Sequence, residues 1–283
     1  MDLCNEREIR ALLARHGFRF SKSMGQNFLI ESWVPRDIAQ ASGAGPGVGV
    51  VEVGPGIGPL TVELAQRAER VAAVELDRAL YPILEETLAP YPNVEVVPGD
   101  VMKLDLAQLC REKLPGLTPM VCANLPYNIT TPVITAFLEA GCFSAITVMI
   151  QREVAQRICA QPGGKDYGAF SVFCQYYAQT DFLFEVPPAC FLPAPKVTSA
   201  VVRLVPRSAP PQTLVDEKTF FWVVRGAFAQ RRKTLLNSLC TLGLSKDTIR
   251  SALLSCGLQE NVRGEQLDIP TFAALAAQLA KIK

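Results

Sequence analysis

From residue 48 to 151 the chain alternates short, nearly unbroken apolar runs with stretches of helical period. The runs are "GVGVVEV", "VAAVELD" (71–77), "VEVVPGDV" (94–101), "MVCANLPY" and "AITVMIQ" (145–151). Runs this short and this apolar denote strands covered on both faces. Between them "PLTVELAQRA", "RALYPILEETLAPY", "LDLAQLCREKL" and "TPVITAFLEAG" read as helices, with Pro82 interrupting the second early and Pro132 near the first turn of the fourth. Strands alternating with helices predict an open, largely parallel sheet with helices on both faces.

The flanks read differently. "MDLCNEREIRALLARHGF" predicts an amphipathic helix, and "FRFSKSMGQNFLIESWVPRDIAQAS" (18–42) an irregular segment that becomes helical. After 151, "REVAQRICA" continues as helix into the glycine-rich "QPGGKDYG". "AFSVFCQYYAQ" reads as helix, with strand as the alternative, and "DFLFEVP" and "SAVVRLVP" as strands, of the kind often added antiparallel at a sheet edge. "RSAPPQTLVD" (207–216) has the composition of a linker. Three helical segments follow: "EKTFFWVVRGAFAQRRKTLLNSLC", "SKDTIRSALLSCG" with Ser245 as its N-cap, and "IPTFAALAAQLAKIK". Two domains are expected, 1–206 and 207–283.

Composition narrows the chemistry. The 283 residues are 49% apolar and include one histidine and nine cysteines. A lone histidine, His16, argues against a histidine-based zinc site or a Ser-His-Asp triad, and no metal is expected. Cysteines scattered without C-x-x-C spacing suit a reducing cytoplasm. No apolar run reaches the roughly 20 residues of a membrane helix. The N-terminal helix, with Asp2, Glu6 and Glu8 early in it, resembles neither a signal nor a mitochondrial transit peptide, so a cytoplasmic location is expected. Charge is uneven: residues 31–195 hold 10 Lys and Arg against 18 Asp and Glu, and residues 196–283 hold 13 against 6. Basic ends around an acidic middle suggest a polyanionic partner.

The acidic middle has a pattern. "VVEVGPGIGPLT" (50–61) places Gly54, Gly56 and Gly58 between a strand and its helix, which allows close approach of a ligand to the main chain. A nicotinamide fingerprint would want glycine at position 59, where Pro59 stands. Glu75 ends the next strand, 21 residues after Gly54, where a carboxylate can accept from a ribose diol. Asp100 ends the third, where it can accept from an adenine amino group. With Glu52 before the glycines, three strand ends are acidic, which suits a cationic nucleoside better than a polyphosphate. S-adenosylmethionine carries a sulfonium and an ammonium and no phosphate.

The fourth strand ends in Asn124-Leu125-Pro126-Tyr127. The Asn124 side-chain oxygen and the Leu125 carbonyl can accept from an exocyclic amine, Pro126 restricts the backbone that aims that carbonyl, and Tyr127 offers a stacking face. Phe191, close to Pro193 and Pro195 of "FLPAPKV" in what reads as a rigid exposed loop, can supply the opposite face for a base taken out of a helix. The loop resembles the signature of amino-methylating transferases. With "SKSMGQNFL" (21–29), "VEVGPGIGPLT", "VELD", "GDV", "NLPYNI", "FLPAPKVTSAVVRL" (191–204) and "FAQRRKTLLNSL" (228–239), nearly the whole chain resembles the ribosomal RNA adenine N6-dimethyltransferases.

That resemblance implies a Rossmann-like class I methyltransferase domain, with an N-terminal helical cover, and a small all-helical RNA-binding domain. It implies S-adenosylmethionine as cofactor, lined by Asn27, Leu29, Gly54, Gly56, Glu75, Asp100 and Asn124, and a target adenine held by Tyr127 and Phe191. Dimethylation, as distinct from a single transfer, rests on it alone. The implied substrate is two adjacent adenosines near the 3′ end of small-subunit ribosomal RNA in a pre-ribosomal subunit, met by a monomer. Lys196, Arg225, Arg231, Arg232 and Lys233 are expected to contact phosphates, the last three from a helix. His16, Arg15 and Arg19 are expected to cover the pocket or touch RNA. Two departures are Met24, where leucine is usual, and Leu236, where arginine is frequent. The alternatives are a large-subunit methylase of the macrolide-resistance type and a non-catalytic assembly factor; a mitochondrial transcription factor is disfavoured.

Overall fold

The computed structural model describes residues 1–20, 25–209 and 216–281. Met24 and the first residues of "SKSMGQNFL" lie outside them. By Cα packing the chain forms two units, Met1–Ala155 with Asp181–Pro206, and Gln156–Thr180 with Arg207–Lys283. The expected boundary at 206 coincides with one of these divisions, but residues 156–180 group with the helical segment rather than with 1–206.

In the first unit α1 (Glu6–Arg15) is N-capped by Asn5, whose side chain accepts from Arg7 and Glu8. The two-residue β1 (Phe28–Leu29) and α2 (Trp33–Ser42) follow. Then come β2 (Val48–Val53), α3 (Pro59–Ala65), β3 (Arg70–Glu75), α4 (Tyr81–Leu88), β4 (Val94–Pro98), α5 (Leu106–Lys113), β5 (Thr118–Asn124), α6 (Thr130–Ala140), β6 (Ile146–Gln151) and α7 (Arg152–Cys159). Pro82 and Pro132 both fall in a first helical turn, where a missing N–H breaks no bond. After α8 (Ala169–Tyr177) the chain makes β7 (Ala178–Val186), the short β8 (Phe191–Leu192) and β9 (Ser199–Pro206).

Seven strands form one sheet in the order β4-β3-β2-β5-β6-β9-β7. β2 through β6 pair in parallel, and β9 runs antiparallel to β6. The middles of the central strands are apolar because both faces are covered: Val50, Val51, Val71, Ala72, Val121 and Cys122 are wholly buried. β4, at the edge, is half exposed, carries Glu95 and closes on Pro98, features that discourage further pairing. The direction of winding reverses between β2 and β5, and a crevice opens there at the carboxyl ends of the strands. β1 and β8 form a separate antiparallel ribbon with Leu29 opposite Phe191.

The second unit packs α8 against α9 (Glu217–Ala229), α10 (Leu235–Ser238), α11 (Lys246–Ser255) and α12 (Ile269–Ala280). Tyr176 stacks on Phe220 at 4.8 Å, and Phe173 and Tyr177 complete an aromatic contact with Phe221. This contact explains why residues 156–180 belong with the helices. Ser245 caps α11 as its position predicts, accepting from Thr248 at 3.1 Å. Leu236 packs against this core, so an arginine there would have to leave it. The single long helix expected over 217–240 is instead broken: α9 ends at Ala229, a turn spans 230–233, and the Leu235 N–H donates to Val262.

Packing beneath the sheet is tight at Gly49, where an added Cβ would lie 2.9 Å from the Leu114 Cβ. Gly49→Ala is therefore expected to destabilise the first unit by roughly 1–3 kcal/mol through overpacking. A lowered thermal midpoint with the cofactor absent would register it, and an unchanged midpoint would mean that Leu114 moves freely.

Candidate active site

A cavity of about 280 Å³ occupies the crevice. Its floor is the end of β2 and the glycine turn, its sides are the ends of β3 and β4, and its far wall is the loop after β5. Residues 25–29 and Phe191 close the remaining side. Asn27, Leu29, Gly54, Gly56, Glu75, Asp100, Asn124, Leu125, Pro126, Tyr127 and Phe191 thus meet at one cavity. Gly54 and Gly56 have φ of +67° and +63°, and a Cβ at Gly56 would press on the Phe28 ring at 3.3 Å.

The acids differ in their bonding. Glu75 is 6% exposed, and its Oε1 accepts from the Asp77 N–H at 2.7 Å. Burial raises its pKa, an effect that hydrogen bonds from the backbone at 77, 76 and 56 oppose. Gln26 donates to Asp77 Oδ2 at 2.7 Å, tying the N-terminal segment to the end of β3. Asp100 caps the turn that follows it, its Oδ1 accepting from Met102 at 3.0 Å. Glu52 is 1% exposed, and its Oε2 has no partner among the described residues. Burial pushes its carboxyl up to about 8, with Glu75 adding to the rise. Thr61 tempers that rise by proximity, although its hydroxyl oxygen also lacks a partner at hydrogen-bond geometry.

The loop after β5 is anchored from behind. The Leu125 N–H donates to Met149 at 3.1 Å, and the Pro126 carbonyl accepts from Ile129 N–H and Thr130 Oγ1, each at 3.2 Å. Among the described residues no side-chain bond holds the Asn124 carboxamide. The Tyr127 hydroxyl bonds to Ser199 Oγ at 2.6 Å. Phe191 is not in an exposed loop: it is 3% exposed, because pairing with Leu29 presses it into the core while one side faces the cavity. Asn27 donates from its side chain to the Gly25 carbonyl at 2.9 Å, which holds the segment's turn.

The basic residues are placed differently from expectation. Lys196 is exposed in the connection from β8 to β9, and Arg225 is exposed on α9. Arg231, Arg232 and Lys233 lie in the turn after α9 rather than on a helix. Arg231 is held within its unit, donating to the Lys165 carbonyl and, at 2.9 Å, to that of Tyr167, with Glu265 at 3.7 Å. Arg225, Arg232 and Lys233 make no ion pair among the described residues. His16 and Arg15 both engage Glu86, with His16 Nε2 2.7 Å away, and their bonds lower that carboxyl's pKa. Among the described residues no cluster of three or more His, Cys, Asp or Glu could hold a metal, and no helix is long and apolar enough to cross a membrane.

Residues 17–281 match the family described as ribosomal RNA adenine dimethylase. The chain belongs to that family. It is 47% identical to the ribosomal RNA small subunit methyltransferase A of Alkaliphilus oremlandii, over 99% of this chain and 98% of the relative. Among solved structures, a dimethyladenosine transferase from Plasmodium falciparum aligns with a TM-score of 0.72 at 25% identity, over 87% of this chain and 95% of the other. The 23S rRNA methyltransferase ErmE aligns with a TM-score of 0.69 at 28% identity, covering 90% and 100%. In this dimethylase the sequence pointed to the strand-end acids and the Asn124 loop, but not to Ser199 or to the Gln26–Asp77 bond. Ser199 lies within the quoted "FLPAPKVTSAVVRL", but nothing in that stretch marks its bond to Tyr127.

Glu52 binds its proton more tightly in the folded chain than in the unfolded one, so its stabilising effect is complete below about pH 4.5 and is lost as pH rises through about 8. Glu52→Gln keeps the neutral shape. Thermal melts of the cofactor-free protein are expected to fall less steeply between those pH values in the variant than in the parent. Equal slopes would mean that the buried carboxyl is ionised throughout.

Proposed function

We propose that this family member transfers methyl groups from S-adenosylmethionine to the N6 amines of two adjacent adenosines in the 3′-terminal hairpin of small-subunit ribosomal RNA, during assembly of the subunit. The observation that carries the reading is the meeting, in one cavity, of the amine-accepting Asn124 loop with the acids at the ends of β2, β3 and β4. The residues present fit such a cofactor, because Glu52, Glu75, Asp77 and Asp100 line the cavity and no basic side chain lines it. Glu75 and Asp100 would hold the ribose and the adenine, with Asn27, Leu29, Gly54 and Gly56 shaping the wall. When bound, S-adenosylmethionine supplies a methyl group already activated on a sulfonium.

The chain's own task is orientation. An adenine amine is a weak nucleophile because its lone pair is delocalised into the ring. Two acceptors, the Asn124 side-chain oxygen and the Leu125 carbonyl, hold its N–H groups and favour a more pyramidal nitrogen. The alkylated amine is acidic enough to release its proton to water, so no strong base is needed. Tyr127 and Phe191 form the two sides of a slot for the extruded base, each stacking contact being worth about 1–3 kcal/mol.

The small-subunit assignment rests on the full-length relative at 47% identity, against 28% for the large-subunit enzyme ErmE. Lys196, Arg225, Arg232 and Lys233 are the phosphate-binding side chains of this reading. Arg231 contributes by holding the turn that presents the last two. We place the enzyme in the cytoplasm as a monomer.

Labelled cofactor incubated with unmethylated small and large ribosomal subunits should mark adjacent adenosines of the small subunit. Asn124→Ala should slow that transfer by roughly 100-fold or more, the order seen when one oriented polar group is removed, while cofactor affinity changes less. Label in the large subunit, or full activity of the variant, would contradict the proposal. Replacing Arg225, Arg232 and Lys233 by Ala should flatten the salt dependence of RNA binding, the slope falling by roughly 0.7–0.9 for each phosphate left without its cation. An unchanged slope would put the phosphate-binding surface elsewhere.

A further inference from the structure

Ser199 is wholly buried at the first position of β9, opposite Gln151 of β6. Its hydroxyl meets that of Tyr127, 2.6 Å away, on the loop after β5. Burial raises the pKa of Tyr127, so its hydroxyl keeps its proton at neutral pH and the pair forms an ordinary O–H···O bond. The same Ser199 ends the connection that begins at Phe191, and the preceding residue is anchored too, the Thr198 carbonyl accepting from the Arg152 N–H at 3.0 Å. This strand start therefore fixes one side of the slot, Tyr127, through a hydrogen bond, while Phe191 on the other side is held by its pairing with Leu29.

We propose that Ser199 is a positioning residue that sets the width of the base slot through Tyr127 and so determines whether the reaction proceeds past the first methyl. This rests on the reading of Tyr127 and Phe191 as the walls of that slot. The unmodified amine offers two N–H groups to the acceptors of the Asn124 loop. After one transfer a single N–H remains, and the added methyl takes the second position. Orientation of the monomethylated amine then depends on the ring walls more than on the acceptors. A tyrosine ring without its anchor turns about its side-chain torsions, and the second transfer suffers more than the first.

The test is the product distribution on unmethylated small subunits, read by mass spectrometry of the released nucleosides. Ser199→Ala should raise the ratio of monomethyl- to dimethyladenosine by about tenfold at equal conversion, as expected for a modest misplacement of a reacting group. Its cofactor affinity should stay near that of the parent. Tyr127→Phe removes the same bond from the other side and should give the same ratio. It also serves as the measure if the buried Ser199 variant does not fold. The double variant should be no worse than either single one. A parental ratio in Ser199→Ala, or in Tyr127→Phe where Ser199→Ala does not fold, would overturn the proposal, provided that Tyr127→Ala is impaired. Full activity in Tyr127→Ala would instead remove the slot itself, and the proposal with it.

Discussion

Glu52 and Glu75 lie with 1% and 6% of their surface exposed at the ends of adjacent parallel strands, and no basic side chain offsets the burial of either. A buried carboxylate without a partner is costly, and like charges add to the cost: Glu75 raises the pKa of Glu52, and Asp77 that of Glu75. The fold tolerates this because the sheet reverses its winding there and leaves a cavity rather than a packed interior. Backbone N–H groups reach Glu75, and Glu52 retains its proton. In the proposed function, selectivity for a cationic ligand rests on the cavity's acids, and the glycine turn beside them would bring the main chain close to it.

Closure of the cavity depends on parts of the chain that are far apart in sequence. Residues 25–29 precede the sheet, and Phe191 follows six of its seven strands. The two-residue ribbon of β1 with β8 holds them together, with Leu29 and Phe191 both nearly buried. So short a ribbon is not stable alone. It persists because both residues enter the core beneath α2, among Val34, Ile38 and Ala39. The wall proposed to touch the base is therefore held by core packing rather than by the loop that bears it.

What was legible in the sequence follows the range of the interactions. The parallel strands, their order of appearance and the capping serines and prolines depend on neighbours within a few residues, and the pattern shows them. The Asn124 loop and the strand-end acids are local motifs. The break after α9 is not: "FAQRRKTLL" has good helical propensity throughout. The turn forms because Arg231 reaches the carbonyls of residues 165 and 167 and Leu235 bonds to Val262. Residues 156–180 join the helical unit for the same kind of reason, the stack of Tyr176 on Phe220, which no local pattern announces. Ser199 is the extreme case, a common residue in a common strand whose partner lies 72 positions away.

The identity of residue 124 follows from the electrostatics of its neighbours. A carboxylate there would face the cavity that already holds Glu52, Glu75 and Asp100. Repulsion and burial would raise its pKa, as they do for Glu52, and its protonated form would present a hydroxyl donor to an amine that itself donates. A carboxamide accepts through its oxygen at every pH and adds no charge. It leaves the cavity's negative potential to the strand-end acids, which in the proposed function would act on the cationic cofactor. Tyr127 obeys the same rule, since its hydroxyl is kept neutral by burial and bonded to a neutral serine. The half of the cavity proposed to meet the base is therefore built from neutral groups and the other half from acids, a division that suits a cation beside an uncharged nucleophile.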